Sequence, residues 1–322
     1  MKFSIVIPVY NKQQTIRRAI FSIFDQTNRL ADPPQLIIID DGSTDESMSI
    51  INRIQKDNTH RDIVVYRQEN SGVSAARNKG IALARNELVT FLDADDSYEP
   101  HFLDEIAHLA NDYPIASVFA TSYRFVNTNR GTKRNARFCG LIADQERQLL
   151  NDFFLSAATG DLPVTSSSVC IRKTALSEIG GFPVQENMGE DQTVWSQLAL
   201  KNWVAISQKV CANYFVDTTE SLMQTVAPDH EMPFSRRLQM QLDAKEIPHI
   251  YTHSVKKYIA GHLLDLVRRN IESGDLATAK TLIDDKRTRM QSRRWLFWFM
   301  TLKCKTVLRG INIHTYSQSP SQ

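Results

Sequence analysis

Leu88-Val89-Thr90-Phe91-Leu92 runs without a break into Asp93-Ala94-Asp95-Asp96, and this junction decides the fold. A short apolar run that stops abruptly at charged residues reads as a strand buried on both faces. Open α/β sheets bind their ligands at the carboxyl ends of strands, so carboxylates at such an end stand where metal ligands or catalytic groups belong. The arrangement recurs in the chain. Leu36 to Ile39 ends at Asp40-Asp41-Gly42 with Asp45 just behind, and a helical pattern opens on Gly189-Glu190-Asp191.

Upstream, Phe3 to Val9 is a first buried strand that stops at Tyr10-Asn11. Asn11 and Gln14 have capping-box spacing ahead of Ile16, Ala19, Ile20, Ile23 and Phe24, which recur on one helical face. Ser43 and Glu46 repeat that spacing before Met48, Ile51 and Ile54. Ile63 to Tyr66 reads as a third strand and Ser71 to Ala84 as a third helix. Strands and helices that alternate on short connections imply a mostly parallel central sheet with helices on both faces, an α/β fold. Beyond Pro100 come a helix through Ile106 and Leu109, strand-like runs at 116–126 and 167–171, and a turn at Gly180-Gly181-Phe182-Pro183. From about Phe234 the pattern is helical. The expected boundary lies near Ala227-Pro228, giving one domain over 1–227 and a C-terminal helical region over 228–322, with a disordered tail from Ser317.

The 322 residues, 42% hydrophobic and 23% charged, suit a soluble globular protein. Met1 to Tyr10 reads as a strand and not as a signal peptide, and Trp295 to Met300 is too short to span a bilayer, so a cytoplasmic protein is expected. Cys139, Cys170, Cys211 and Cys304 lack metal-site or disulfide spacing and are expected to be buried packing residues. The net charge of +2 is unevenly spread, since 286–309 holds eight Lys or Arg and no acid. These basic residues bracket Trp295-Leu296-Phe297-Trp298-Phe299-Met300, which suits a segment lying on an anionic membrane surface. Because the apolar run covers all sides of a helix, it equally suits packing on the protein itself or on a second copy in a homodimer. Nucleic acid is not an expected partner, because the aromatics form one block and no reader fold is signalled.

Asp-x-Asp at a strand end sets two carboxylates on one side of an extended backbone, and hard oxygen ligands of this kind suit Mg²⁺ or Mn²⁺ together with phosphate oxygens. Neither G-x-G-x-x-G after the first strand nor G-x-x-x-x-G-K-[ST] occurs, which argues against a dehydrogenase or a P-loop enzyme.

Taken in order, Ile7-Pro8-Val9-Tyr10-Asn11, Ile39-Asp40-Asp41-Gly42-Ser43-Thr44-Asp45, Asn70-Ser71-Gly72, Ala76-Arg77-Asn78, Phe91 to Asp96 and Gly189-Glu190-Asp191 resemble the family 2 glycosyltransferases of GT-A fold over residues 1 to about 220. The resemblance implies transfer of a sugar, with inversion, from a nucleotide diphosphate donor, a UDP-sugar in this reading, to an acceptor hydroxyl. It makes 1–100 the nucleotide-sugar half and 101–227 the acceptor half. Pro8 and Tyr10 would lie against the base and Asp40 would accept its N–H. Arg77 would approach the nucleotide or its phosphates, with Asp93 and Ala94 at the donor. Asp95, with Asp93, would hold Mg²⁺ or Mn²⁺, and His230 would add a further contact to metal or phosphate. Asp191 would be the base, kept ionised by its helix N-terminus, with Glu190 a stabiliser of that helix. Thr165 to Ser168 and Gly181-Phe182 would shape the acceptor side. The implied setting is synthesis of a bacterial surface polysaccharide or lipopolysaccharide on a saccharide or lipid-linked acceptor, at the inner face of the cytoplasmic membrane. The alternative is a scaffold that binds nucleotide sugar without transferring it.

Overall fold

A computed structural model describes residues 1–26, 33–186, 188–216 and 231–316, with side chains as far as 306. The chain divides into two compact units, Met1–Ser221 and Leu222–Gln322. The expected boundary at Ala227-Pro228, His230 and the tail from Ser317 lie outside the described residues.

In the first unit the strands are β1 (Phe3–Val9), β2 (Gln35–Asp40), β3 (Ile63–Arg67), β4 (Leu88–Phe91), β5 (Ser97–Tyr98), β6 (Val118–Asn127), β7 (Thr132–Asn135), β8 (Arg147–Leu149), β9 (Val169–Arg172) and β10 (Val204–Phe215). The helices are α1 (Ile16–Phe24), α2 (Ser47–Asp57), α3 (Val73–Leu83), α4 (Phe102–Asp112), α5 (Phe153–Thr159), α6 (Lys173–Glu178) and α7 (Glu190–Lys201). One sheet runs in the order β3-β2-β1-β4-β9-β6-β10-β5, with β7 beside β6 and β8 beside β10. β3, β2, β1 and β4 are parallel, as are β6 and β10. β9 enters between β4 and β6 antiparallel to both.

Every residue of β1 is buried, because both faces of the strand are covered. Phe3, Ile5, Ile7 and Val9 join a core with Ile16, Ala19, Ile20 and Ile23 of α1 and Ile51 and Ile54 of α2. The opposite face meets α3, and there the approach is so close that a Cβ on Gly80 would sit 2.2 Å from Val6 Cγ1. A bulkier residue at position 80 would push the helix off the sheet.

The capping boxes expected at Asn11 and Ser43 do not form. α1 starts at Ile16 and α2 at Ser47. Asn11 instead takes a left-handed backbone (φ 52°). Its N–H donates to Ser43 Oγ at 3.0 Å, and its Oδ1 accepts from the Thr44 N–H at 2.8 Å. The two would-be caps are consumed in tying the end of β1 to the end of β2.

The second unit contains α8 (Pro233–Asp243), α9 (Thr252–Ser273), α10 (Leu276–Asp284) and α11 (Ser292–Tyr316). Helix α11 divides the aromatic block between two faces. Trp295, Trp298 and Phe299 pack against a core of Leu264, Val267, Ile271, Ala279 and Ile283, and Trp295 Nε1 donates to the Ile283 carbonyl at 3.0 Å. Leu296, Phe297 and Met300 point outward and are more than half exposed. Exposed Arg293, Arg294 and Lys303 flank them. Cys170 and Cys211 are buried as expected, whereas Cys139 is half-buried and Cys304 exposed. Apolar neighbours in sequence misled at Cys304, which lies on the outer face of α11. Among the described residues, no helix is long and apolar enough to cross a membrane.

Candidate active site

The acidic run leaves β4 at the rim of the sheet, where each of its carboxylates meets a different partner. Asp93 Oδ1 accepts from Arg77 Nη2 at 2.9 Å. Asp95 Oδ2 accepts from Lys12 Nζ at 2.9 Å, and Arg18 reaches the Asp95 carbonyl. Asp96 is buried and accepts from Ser167 Oγ at 2.6 Å and from the Phe215 N–H at 3.1 Å. Burial first, and then the charges of Asp93 and Asp95, push the Asp96 carboxyl well above the usual range despite those hydrogen bonds.

Arg77 joins this rim to α7. It projects from α3 one turn before Gly80, is 4% exposed, and gives its Nη1 to Glu190 Oε1 at 2.9 Å. Burial opposes its charge, but Asp93 and Glu190 outweigh the loss of water and raise its pKa. Its ring-side contact is Phe182, 5.1 Å from the guanidinium. Phe182 in turn sits edge-on to Phe91 and Trp195. Asn78 pins this turn, accepting from the Phe182 N–H at 2.8 Å and donating to its carbonyl at 2.7 Å. Gly181 has φ 73°, and a Cβ there would meet Asn78 Oδ1 at 2.6 Å. The motif Arg77-Asn78 therefore holds the segment that leads into α7 against the end of β4.

Asp191 stands in the first turn of α7, half-buried, with Trp195 and Leu198 buried on the face it shares. Its carboxyl is raised to about 7 by burial and then by Glu190, against the opposing pull of Arg77 and a hydrogen bond from the Gln192 N–H. The helix N-terminus alone pointed to an ordinary ionised acid. Loss of hydration beside two other carboxylates outweighs it. Glu190 is likewise more than a helix stabiliser, since it pairs with Arg77. Thr165 to Ser168 bends beneath the acidic run, where Ser167 Oγ also accepts from the Asp93 N–H at 3.2 Å. Phe182, 1% exposed, belongs to the core and presents no surface to an acceptor.

At the carboxyl ends of β1 and β2, Tyr10 is 48% exposed and does not fill the core. Pro8 and Ala94 are buried beside it and within the acidic run respectively. Asp40 is fully buried, with Oδ1 accepting from the Ser43 N–H at 3.2 Å and Oδ2 3.2 Å from Arg67 Nε. Among the described residues, that Oδ2 has no well-directed hydrogen bond. Asp41 is structural: its two oxygens accept from Gln68 and from the Ser71 and Gly72 N–H groups, shaping the approach to α3.

No motif in the sequence singles out Lys12, Arg18 or Tyr214, which the fold brings to the acidic run. Burial first, then Asp96, Asp93, Asp95 and Asp191, raise the Tyr214 phenol, so all four carboxylates act on one point. An aromatic late in a long strand carries no motif of its own, and only the fold brings it to the acids.

Residues 4–179 match the profile of "Glycosyl transferase family 2". The chain is 33% identical over 139 residues to the minor teichoic acid biosynthesis protein GgaA of Bacillus subtilis, covering 42% of this chain and 31% of that one. Its matches span about a third of the length of such curated relatives. The structure is similar to that of S. aureus TarS 1-349 in complex with UDP-GlcNAc, with a TM-score of 0.58 and 15% identity over 95% of this chain and 92% of the other. It is also similar to the mannosyltransferase PcManGT of Pyrobaculum calidifontis in complex with GDP-Man and Mn²⁺, with a TM-score of 0.53 and 16% identity over 95% and 86%. The fold is therefore GT-A, and the chain belongs to glycosyl transferase family 2.

Proposed function

We propose that the protein moves a sugar from a UDP-sugar to an acceptor hydroxyl with inversion at the anomeric carbon. The observation that carries this reading is the Arg77 bridge, which brings Asp93 at the end of β4 and Glu190-Asp191 at the start of α7 to one place although they are far apart in sequence. In a single displacement the acceptor oxygen bonds to the anomeric carbon as the bond to the diphosphate breaks, and the acceptor proton passes to Asp191. A base works best with a pKa near the working pH, and Asp191 at about 7 meets that condition.

Tyr10 lies against the base in this reading, and Asp40 Oδ2, which lacks a well-directed hydrogen bond among the described residues, accepts the imide N–H of uracil when the exposed Arg67 side chain, 3.2 Å away, gives way to the ligand. Arg77 serves the donor side through Asp93, whose orientation it fixes. The donor set fits Mg²⁺ or Mn²⁺: among the described residues, Asp93 and Asp95 each have one oxygen committed to a side-chain cation and one left over. These ions are commonly held by one or two carboxylates, with phosphates and water completing the shell. When bound, the ion neutralises charge on the departing diphosphate. GgaA's teichoic acid role and the UDP-GlcNAc on TarS support a saccharide acceptor in surface polysaccharide synthesis and a uridine donor.

Thermal melts with UDP and Mn²⁺, combined with a donor-consumption assay, test this. Asp95→Ala is expected to lose the metal-dependent stabilisation by UDP. Asp191→Asn is expected to keep it and lose turnover by about a thousand-fold. Turnover retained in Asp191→Asn would refute the base. Binding without turnover in the wild type, across acceptors, would favour the scaffold alternative.

A second reading concerns place. The outward stripe of Leu296, Phe297 and Met300, set among Arg293, Arg294 and Lys303, supports peripheral attachment to the anionic inner face of the cytoplasmic membrane, where a lipid-linked acceptor would reside.

A further inference from the structure

Lys12 has no part in the chemistry above, yet its placement is among the most constrained at the rim. It follows Asn11, whose left-handed backbone is held by Ser43 and Thr44. The Lys12 N–H donates to Ser47 Oγ at 2.8 Å, and its carbonyl accepts from the Thr15 and Ile16 N–H groups at 3.1 and 2.9 Å. With the backbone fixed at both ends, the side chain runs to Asp95 Oδ2, and the two side chains are only 15% and 19% exposed.

The partners along the acidic run differ in kind. Arg77 is buried and forked between Asp93 and Glu190, so it cannot leave without stranding both. Asp96 is held by a buried hydroxyl and a backbone N–H. Lys12 alone of these brings a point charge on a flexible four-carbon stem, which needs no particular fork geometry and can exchange one anion for another. An ammonium on Asp95 repels a divalent cation that seeks the same carboxylate. A diphosphate reverses the balance, because its oxygens offer the ammonium a second anion.

We infer that Lys12 makes cation and nucleoside diphosphate bind as a pair: its ammonium holds Asp95 while no diphosphate is present and transfers to a diphosphate oxygen when both ligands enter, releasing the carboxylate to the cation. This rests on the donor-site reading above. Coupling of this kind is reciprocal, so Lys12 weakens cation binding alone and strengthens each ligand's binding in the presence of the other.

The test uses the full chain with Mn²⁺ and UDP as probes. Free Mn²⁺ is read by electron paramagnetic resonance, with and without saturating UDP, for wild type, Lys12→Met and Lys12→Gln. Gln keeps a hydrogen-bond donor without the charge, so a fold that needs a donor at position 12 is still tested. Both variants are expected to bind Mn²⁺ alone about five-fold more tightly than wild type, and the gain in Mn²⁺ affinity given by UDP is expected to shrink at least about five-fold. Unchanged or weaker Mn²⁺ binding in folded variants, with the wild-type gain intact, would overturn the role of Lys12 and leave the donor site standing. A wild-type chain in which UDP gives no gain would overturn both.

Discussion

Asp191 carries the sharpest consequence at the scale of single residues. Its carboxyl is raised to about 7, so the fraction able to accept a proton grows as pH rises through neutrality. The rate under subsaturating donor and acceptor is therefore expected to climb with pH to a midpoint near 7 and then level off. Glu190 is the second cause of that shift, and Glu190→Gln should move the midpoint downward, with Arg77 then pulling less opposed. A pH profile of kcat/KM for both proteins checks this, and an unshifted midpoint would remove Glu190 from the electrostatics of the base. The identity of these residues was legible in the sequence, because an acid in the first helical turn and acids after a strand are visible as motifs. Their pairing was not. Arg77 reads as a surface cation on a helix until the fold closes Asp93 and Glu190 around it, and the capping boxes at Asn11 and Ser43 competed with a cross-link that no local pattern announces.

At the scale of elements, α3 owes its position to a missing side chain. Gly80 lets the helix lie on Val6 of β1, and Arg77 one turn earlier reaches the rim because of it. Gly80→Ala should overpack this contact and cost about 1–3 kcal/mol in chemical denaturation. Adding Val6→Ala should recover part of the loss, since the two sites share one space. Periodicity placed α3 and β1, but the depth of their contact depends on one glycine whose meaning appears only opposite its neighbour. Helix α11 shows the same limit. Its six-residue apolar block suits membrane and protein equally by pattern, and only the fold commits Trp295, Trp298 and Phe299 to the core and leaves Leu296, Phe297 and Met300 exposed. Replacing Leu296, Phe297 and Met300 with Gln should leave the second unit folded and lower sedimentation with phosphatidylglycerol vesicles at low salt by about ten-fold. Equal sedimentation would reject the membrane reading, and a change in oligomeric state would point to a second copy of the chain.

For the whole molecule, the raised Asp191 carboxyl is a charge on stability. A carboxyl that titrates near 3.8 when unfolded and near 7 when folded stabilises the native state fully only below the lower value. That contribution is lost as pH rises towards 7 and stays constant above it. Asp191→Asn is free of the loss, so its Tm relative to wild type should increase between pH 4 and 7 by roughly 3 °C or more, then stop increasing. Scanning calorimetry across that range checks the slope, and a flat difference would contradict it. The alternation of strands and helices made the parallel half of the sheet readable from the chain. The insertion of β9 was not readable, because a short apolar run, Val169 to Ile171, looks the same in either direction and only pairing with β4 and β6 orients it.

That reversed strand sets where change in the chain is felt. Because β9 starts at the rim where β4 ends, whatever connects β8 to β9 is delivered directly under the acidic run. On the proposed reading, a family member with a longer or reshaped connection presents a different surface to the sugar, while the side assigned to the nucleotide, built from β1, β2 and α3, keeps its geometry. On the same reading, recognition of the nucleotide and choice of what is joined to it are borne by separate stretches of backbone that converge on the carboxyl end of one four-residue strand.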